Sequence, residues 1–197
     1  MTLDDTRRRL LDHAREHYLE VGGSEHFSLR EVARRTGVSA AAVYRHFESK
    51  DVLFAAIVGE GFRVFQVFLM RALGEATPLE RLRAAGRHYL AFATAHPEHY
   101  TVIFMTRETT SRHAKDCGQY RESSTTFQFL VDRVRECMAA KVLRTDDPVA
   151  LAATIWAHVH GLVALRLTGH LRSVGDDEAF AKLFSASVDD LLRGLSP

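Results

Sequence analysis

The chain has 197 residues, of which 46% are hydrophobic and 26% are charged, and its formal net charge is +1. This composition is typical of a folded globular protein and excludes a disordered chain, and the small net charge excludes a protein that coats nucleic acid in bulk. The two cysteines, Cys117 and Cys137, form no CxxC pair, and the N-terminus lacks the apolar core of a signal peptide. We therefore expect a reduced, cytoplasmic protein.

Apolar residues recur at helical spacing along most of the chain, and no segment has the alternation typical of a β-strand. The sequence therefore predicts an all-α protein of about nine helices, at residues 3–21, 28–36, 39–47, 49–73, 78–95, 97–106, 122–140, 148–168 and 176–193. The polar residues 107–118 are expected to form a loop. The uncharged run 149–165 contains two histidines and is short for a membrane span, so we expect a buried core helix there.

The fourth predicted helix contains two glycines, Gly59 and Gly61. Each lowers the helix propensity by about 1 kcal/mol relative to alanine. Two explanations are open at this point. The glycines either ease a pivot within the helix or allow a neighbouring helix to approach it closely.

Residues 28–50 have the pattern of two short helices joined by a tight turn. Ser28 is a favourable N-cap, and Glu31 three residues later completes the sequence pattern of a capping box. Gly37 suits the left-handed position that ends the first helix, and Ser39 caps the second. The second helix begins with small residues, which allow a helix to lie deep in the major groove of DNA.

This segment resembles the DNA-binding motif of the tetracycline-repressor-like (TetR) family of transcriptional regulators. The likeness extends over about residues 7–54 and implies a three-helix, helix-turn-helix DNA-binding domain at 1–54, with its motif at about 28–47. It also implies that 55–197 form a helical ligand-binding and dimerisation domain. The matching positions are Val32-Ala33, Thr36-Gly37-Val38-Ser39, Val43-Tyr44, His46-Phe47 and Lys50-Asp51-Val52-Leu53.

The resemblance assigns DNA contacts within this motif. Arg30 corresponds to a position that reads base edges, Tyr44 and Lys50 correspond to positions that touch phosphate, and Arg45 could do either. For Tyr44, packing between the helices is the alternative. The expected DNA-binding residues are Ser28, Arg30, Ser39, Ala40, Ala41, Tyr44, Arg45, His46 and Lys50.

The second half of the chain carries a shorter resemblance. The run AHPEHY at 95–100, followed by Phe104 and by Trp156, His160 and Gly161, is similar to the subgroup of this family named for a Trp-His-Gly signature. In the family these helices surround a cavity, which implies a small apolar or aromatic inducer, neutral or anionic, with His160 as its polar anchor. Plain core packing is the alternative for each aromatic residue. The expected ligand-binding residues are Phe68, Tyr89, Phe92, Phe104, Phe127, Trp156 and His160.

A single copy of the motif offers too few contacts for tight binding, so we expect a homodimer on a near-palindromic, double-stranded operator. The last two helices should form the dimer interface. The penultimate helix carries the small-residue ridge, defined as Ala153, Ala157, Gly161 and Ala164, with Trp156 expected on the opposite, inward face. The alternative is that the ridge packs within its own chain. The last helix should add Phe180, Leu183, Phe184, Leu191 and Leu192.

Histidine and cysteine spacings offer little support for a metal site or an enzyme. His13 and His17 lie on a charge-rich helix, where a solvated face is expected, and His113 and Cys117 fall in the predicted loop without a third ligand nearby. No P-loop, GxSxG, GxGxxG or HExxH pattern occurs. We therefore expect no catalytic site, no metal and no cofactor.

These observations favour a ligand-responsive transcriptional repressor that a small lipophilic molecule releases from a palindromic operator, with no membrane partner. Two other classes stay open: a helical interaction protein that keeps the motif as a scaffold, and an enzyme of unknown type. The alanines at 40–42 keep the interaction protein open, because their side chains cannot form hydrogen bonds with base edges.

Overall fold

The computed structural model describes residues 3–23, 25–106 and 119–197, and these residues form nine α-helices and no β-strand. This confirms the predicted all-α fold. The predicted loop at 107–118, with His113 and Cys117, lies outside the described residues. The helices are α1 (Leu3–Glu20), α2 (Leu29–Thr36), α3 (Ala40–His46), α4 (Lys50–Met70), α5 (Pro78–Ala95), α6 (Pro97–Phe104), α7 (Gln119–Ala139), α8 (Pro148–Leu167) and α9 (Asp177–Gly194).

Most helix bounds lie within two residues of those expected, and the exceptions are the end of α4 and the start of α7, each three residues earlier than predicted. Helix α4 ends three residues before the predicted end, because Arg71–Gly74 tightens into a 3-10 turn. Helix α5 begins where predicted: Pro78 is its first residue, and Thr77 and Glu80 form a complete capping box.

The chain divides into two compact units. The first unit comprises Met1–Val64 and Glu98–Ser123, and the second comprises Phe65–Pro97 and Ser124–Pro197. Helix α4 therefore contributes to both units, and α6 belongs with the helix-turn-helix segment. The functional boundary expected at residue 54 stays a prediction.

Local hydrogen bonds explain why the two motif helices end where they do. The Ser28 side chain accepts a hydrogen bond from the Glu31 amide, and the Ser39 side chain accepts one from the Ala42 amide. Gly37 adopts a left-handed conformation with φ of 75°, and its amide donates to the Arg34 carbonyl. Both predicted N-caps and the predicted glycine terminator are confirmed.

The predicted capping box at the start of α2 is only half formed. Both carboxylate oxygens of Glu31 accept hydrogen bonds from arginines, at 2.7–2.8 Å from Arg34 and 2.8 Å from Arg35. The Ser28 amide instead donates to Nε2 of His17 at 3.2 Å. His17 is therefore buried, with 6% of its surface exposed, and the expectation that it lies on a solvated face is wrong.

Close packing explains the second glycine of α4. A Cβ atom placed on Gly61 would lie 2.6 Å from Cγ2 of Ile103 in α6, well inside van der Waals contact. Of the two explanations left open by the sequence, close approach of a neighbouring helix is therefore the one supported at this position.

We predict that Gly61→Ala lowers the free energy of unfolding by about 1–3 kcal/mol, because overpacking outweighs the higher helix propensity of alanine. Gly86→Ala in α5 is the matched control, since its Cβ would meet only Phe184, at 3.9 Å. That control should raise the free energy by about 0.5–1 kcal/mol. Urea unfolding of both variants measures the difference, and two equally stabilising substitutions would contradict the packing explanation.

Helix α8 is less buried than the sequence suggests. By length and composition alone, Lys50–Gly74 and Pro148–Leu167 could each cross a membrane, although helices of a folded core pass the same test. Only 28% of the most apolar stretch of α8 is buried, so the expectation of a buried core helix is wrong for one face. That face contains Ala153 and Ala157, both exposed.

Candidate functional site

The outer surface of the helix-turn-helix segment is a small basic and aromatic face. Arg30, Arg45 and Tyr44 are exposed there, Tyr44 at 54%, whereas Val32 and Val43 point into the core of the first unit. The side chains of Arg30 and Arg45 form no ion pair and no hydrogen bond with any other described residue. Both guanidinium groups are thus available for a phosphate or a base edge.

Other cations of the motif are engaged within the protein. Arg35 pairs with Glu20 at 2.6 Å and with Glu31 at 2.8 Å, and Arg34 pairs with Glu31 at 2.7 Å. Hydrogen bonds from Arg34 and then Arg35 lower the pKa of Glu31 to about 2, so this carboxylate stays charged at neutral pH. The positive face of the motif is therefore smaller than the residue count suggests.

The remaining predicted DNA-binding residues flank this face. Ala40 and Ala41 are exposed at the start of α3, and His46 is half-buried at its end. The hydroxyl oxygens of Ser28 and Ser39 accept capping hydrogen bonds, which leaves their O–H groups to donate outward. The Lys50 ammonium lies 5.5 Å from the centre of the Phe27 ring.

Most of the predicted ligand-binding residues meet in the second unit. Phe68 contacts Phe92 with ring centres 5.8 Å apart, and the Tyr89 hydroxyl lies 2.8 Å from Nδ1 of His160. The His160 ring lies 5.8 Å from that of Trp156, which in turn lies 5.9 Å from that of Phe127.

Phe65 joins these two groups of rings. It lies 5.0 Å from Phe92 and 5.4 Å from Tyr89, so the rings form one continuous series. Phe65 was not among the expected ligand residues. Its spacing of three residues from Phe68 on α4 was the available signal.

A small apolar cavity adjoins this series of rings. Its volume is about 40 Å³, and Tyr89 and Trp156 contribute to a wall that contains no charged side chain. Pockets for drug-sized ligands measure about 300–1,000 Å³, so a ligand of that size can enter only if side chains move. The other lining residues are Leu69, Leu82, Ala85, Gly86, Leu130, Ile155, Val159, Val188 and Leu192.

His160 and Trp156 differ from what the sequence suggests. Burial lowers the pKa of His160, so its imidazole is neutral at pH 7 and forms a hydrogen bond rather than a charge contact. Trp156 is 37% exposed and does not lie opposite the small-residue ridge. With 3.6 residues per turn, the two faces are about 90° apart. Trp156 therefore reaches both the cavity and the surface.

Phe104 does not share the unit of the other expected ligand residues. It belongs to the first unit, where its ring centre lies 5.9 Å from that of Phe62 and 5.3 Å from that of Tyr100. Its place in a ligand site stays a prediction.

The residues expected at the dimer face on α8 and on α9 differ in their exposure. On α8, Ala153 and Ala157 are exposed and Gly161 and Ala164 half-buried, so the described part of the chain leaves the first half of the small-residue ridge uncovered. Of the five residues expected from α9, only Leu183 is exposed, at 37%. The others are wrongly assigned or marginal: Phe180, Phe184 and Leu192 are buried in the core, and Leu191 is half-buried.

Cys137 is not a candidate nucleophile. The side chain is fully buried, and burial raises the pKa of its thiol to about 11, so almost none of it is thiolate at neutral pH. Cys117 lies outside the described residues.

Two family models match the chain. Residues 82–191, more than half of the chain, match the tetracyclin repressor-like C-terminal domain, and residues 10–57 match the bacterial regulatory proteins of the tetR family. The N-terminal match contains both motif helices and every expected DNA-binding residue.

Individual proteins with similar sequence or structure were also found. The nucleoid occlusion factor SlmA of Vibrio vulnificus is 34% identical over 93 residues, so the match spans about half of each protein, 46% of this chain and 47% of SlmA. A Rhodococcus sp. RHA1 protein of unknown function is 28% identical, with a TM-score of 0.79 over 98% of this chain and 96% of its own. AibR, solved with isovaleryl coenzyme A and operator DNA, is 20% identical, with a TM-score of 0.69 over 98% of each chain.

Proposed function

Because the chain belongs to the tetR family of bacterial regulatory proteins, we propose that the outer face of α2 and α3 binds a palindromic operator as a repressor. The protein is a ligand-responsive, DNA-binding transcriptional regulator. Its inducer, in this proposal, is a small lipophilic molecule that enters the apolar cavity of the second unit and releases the DNA. A cytoplasmic regulator without catalytic activity requires no cofactor.

One observation carries the DNA-binding half of the proposal. Arg30 and Arg45 are exposed without a partner among the described residues, and they share the outer face of the motif with the exposed Tyr44. An arginine can bind guanine through two hydrogen bonds, and a tyrosine hydroxyl suits phosphate. The exposed Ala40 and Ala41 would allow close approach to the groove floor and contact thymine methyl groups.

The two kinds of DNA contact predict different mutant behaviour. Arg30→Ala should cost about 1–3 kcal/mol on the preferred operator and relax the preference at one base pair. Lys50→Ala should weaken binding to every sequence alike. It should also reduce the slope of log affinity against log salt concentration by about one. Fluorescence anisotropy with a panel of single-base operator variants measures both. An equal loss on every sequence for Arg30→Ala would contradict the readout role.

The ligand half of the proposal rests on the series of rings and its cavity. A wall without charged side chains favours a neutral or weakly anionic apolar molecule over a cation. The hydrogen bond between Tyr89 and His160 provides polar atoms beside an apolar wall, the arrangement that orients ligands in most small-molecule sites. AibR was solved with isovaleryl coenzyme A, and only the apolar acyl group of such a ligand, not its phosphates, would suit this wall.

Two finer assignments belong to this proposal. Trp156, His160 and Gly161 all lie on α8, with His160 one turn after Trp156, which supports membership of the Trp-His-Gly subgroup. The exposed part of the small-residue ridge supports a homodimer through α8, with Leu183 of α9 beside it. Small residues let two helices approach closely, and a dimer would present two recognition helices to a palindrome.

A helical interaction protein is the second candidate function. Its support is the alanine-rich start of α3, which has no hydrogen-bonding side chain for direct base readout. A repressor prefers its operator over a shuffled duplex, whereas an interaction protein binds both duplexes alike.

A further inference from the structure

We propose that His17 is a positioning residue for DNA binding, because its Nε2 atom holds the amide of Ser28 and so orients the first turn of α2. Arg30 extends from that turn. This inference rests on the proposed DNA-binding function and adds a residue outside the motif to it.

The chemistry at the start of α2 makes this role specific. The backbone N–H of an N-cap residue has no intrahelical partner, and in a capping box a glutamate three residues later accepts it. Here Glu31 is engaged by Arg34 and Arg35, and the Ser28 amide lies 3.2 Å from His17 Nε2. His17 of α1 therefore accepts the hydrogen bond that Glu31 would accept in a complete capping box.

The bond also determines the tautomer of the neutral ring. An Nε2 atom that accepts a hydrogen bond carries no proton, so the neutral ring carries its proton on Nδ1. Nδ1 of His17 is buried and has no hydrogen-bond partner among the described residues. The ring is thus held by the Ser28 amide and by packing on Phe27, with ring centres 5.3 Å apart.

Helix α2 is tied to α1 at its other end by separate contacts. Arg35 pairs with Glu20 at 2.6 Å, and Arg9 donates to the carbonyl of Thr36 at 2.8 Å. Removal of the His17 acceptor should therefore loosen only the N-terminal turn of α2, where Ser28 and Arg30 lie, and leave the helix in place.

Two substitutions separate the acceptor from the bulk of the side chain. His17→Leu keeps a similar volume but has no acceptor, whereas His17→Gln places an amide oxygen near the position of Nε2 without the ring. His13→Leu is the matched control, because His13 lies one turn earlier on α1 and its side chain forms a hydrogen bond only with Glu16 among the described residues. All variants are compared as full-length chains at a temperature where each is folded.

We expect His17→Leu to bind the selected operator about tenfold more weakly and to lose hydrogen-exchange protection at the Ser28 amide. His17→Gln should keep that protection and bind within about threefold of the unsubstituted protein, even if it is less stable, and His13→Leu should bind normally. If His17 had only a structural role, the operator affinity of each variant would fall in proportion to its loss of stability. His17→Gln would then bind the operator no more tightly than His17→Leu.

Each outcome is decisive. If the unsubstituted protein binds the operator and His17→Leu binds equally well, the positioning role is overturned while the DNA-binding function stands. If His17→Leu does not fold, a protected Ser28 amide with normal binding in His17→Gln supports the role, and an unprotected amide with normal binding overturns it. If the unsubstituted protein prefers no DNA sequence, the proposed function itself fails.

Discussion

Ala157→Glu should convert the protein to a monomer at micromolar concentration and weaken operator binding by more than a hundredfold. Ala157 is exposed in the middle of α8, between Ala153 and Gly161 on the small-residue ridge. In a close helix–helix interface, a glutamate at this position would be larger than the available space and would bury an unpaired charge, which costs several kcal/mol. A monomer would then contact only one half of a palindromic operator.

Sedimentation velocity measures the first effect and fluorescence anisotropy the second. Ala139→Glu is the matched control, since Ala139 is an exposed alanine at the end of helix α7 of the same unit, outside the two helices of the expected interface. The control should leave both the dimer and the affinity unchanged. A dimeric Ala157→Glu variant with normal affinity would show that the ridge is not the interface, and a monomeric unsubstituted protein would contradict the dimer.

The second large effect concerns the inducer. Trp156→Ala should remove the response to an apolar ligand while operator affinity stays within a few-fold. Trp156 lines the cavity and contacts the rings of Phe127 and His160, so its loss removes a large part of the wall. An indole ring offers a large apolar contact surface, so we expect its loss to weaken the binding of an apolar ligand by at least about tenfold.

The chain contains a single tryptophan, which makes this prediction directly observable. The neutral apolar dye N-phenyl-1-naphthylamine is a suitable probe, and its binding in the cavity should quench the Trp156 emission. Trp156→Phe is the conservative control and should keep part of the response. If the dye releases DNA from Trp156→Ala at the same concentration as from the unsubstituted protein, Trp156 is plain core and the ligand site lies elsewhere.

The local sequence predicted the helices well, because their signals act over a few residues. Ser28, Gly37 and Ser39 satisfy the backbone groups at the ends of α2 and α3, and these requirements can be read from the residues themselves. Periodic apolar residues likewise identified the buried faces of these helices.

Local sequence patterns could not predict which distant residues form hydrogen bonds with one another. Glu31 has the correct spacing for a capping box, yet two nearby arginines compete for its carboxylate more strongly than a neutral amide does. The Ser28 amide then takes an acceptor eleven residues earlier in the chain. On α9, the same periodicity that marks Phe180 and Phe184 as apolar cannot say whether their own chain or a partner covers them.

Competition anisotropy tests most directly whether this protein binds DNA with sequence specificity. The purified chain would be titrated at near-physiological salt against the duplex that flanks its own gene and against a shuffled duplex of the same length and composition. We expect the flanking duplex to bind at least a thousandfold more tightly, with two chains per site. Equal affinity for the two duplexes would contradict it and would favour an interaction protein that keeps the motif as a scaffold.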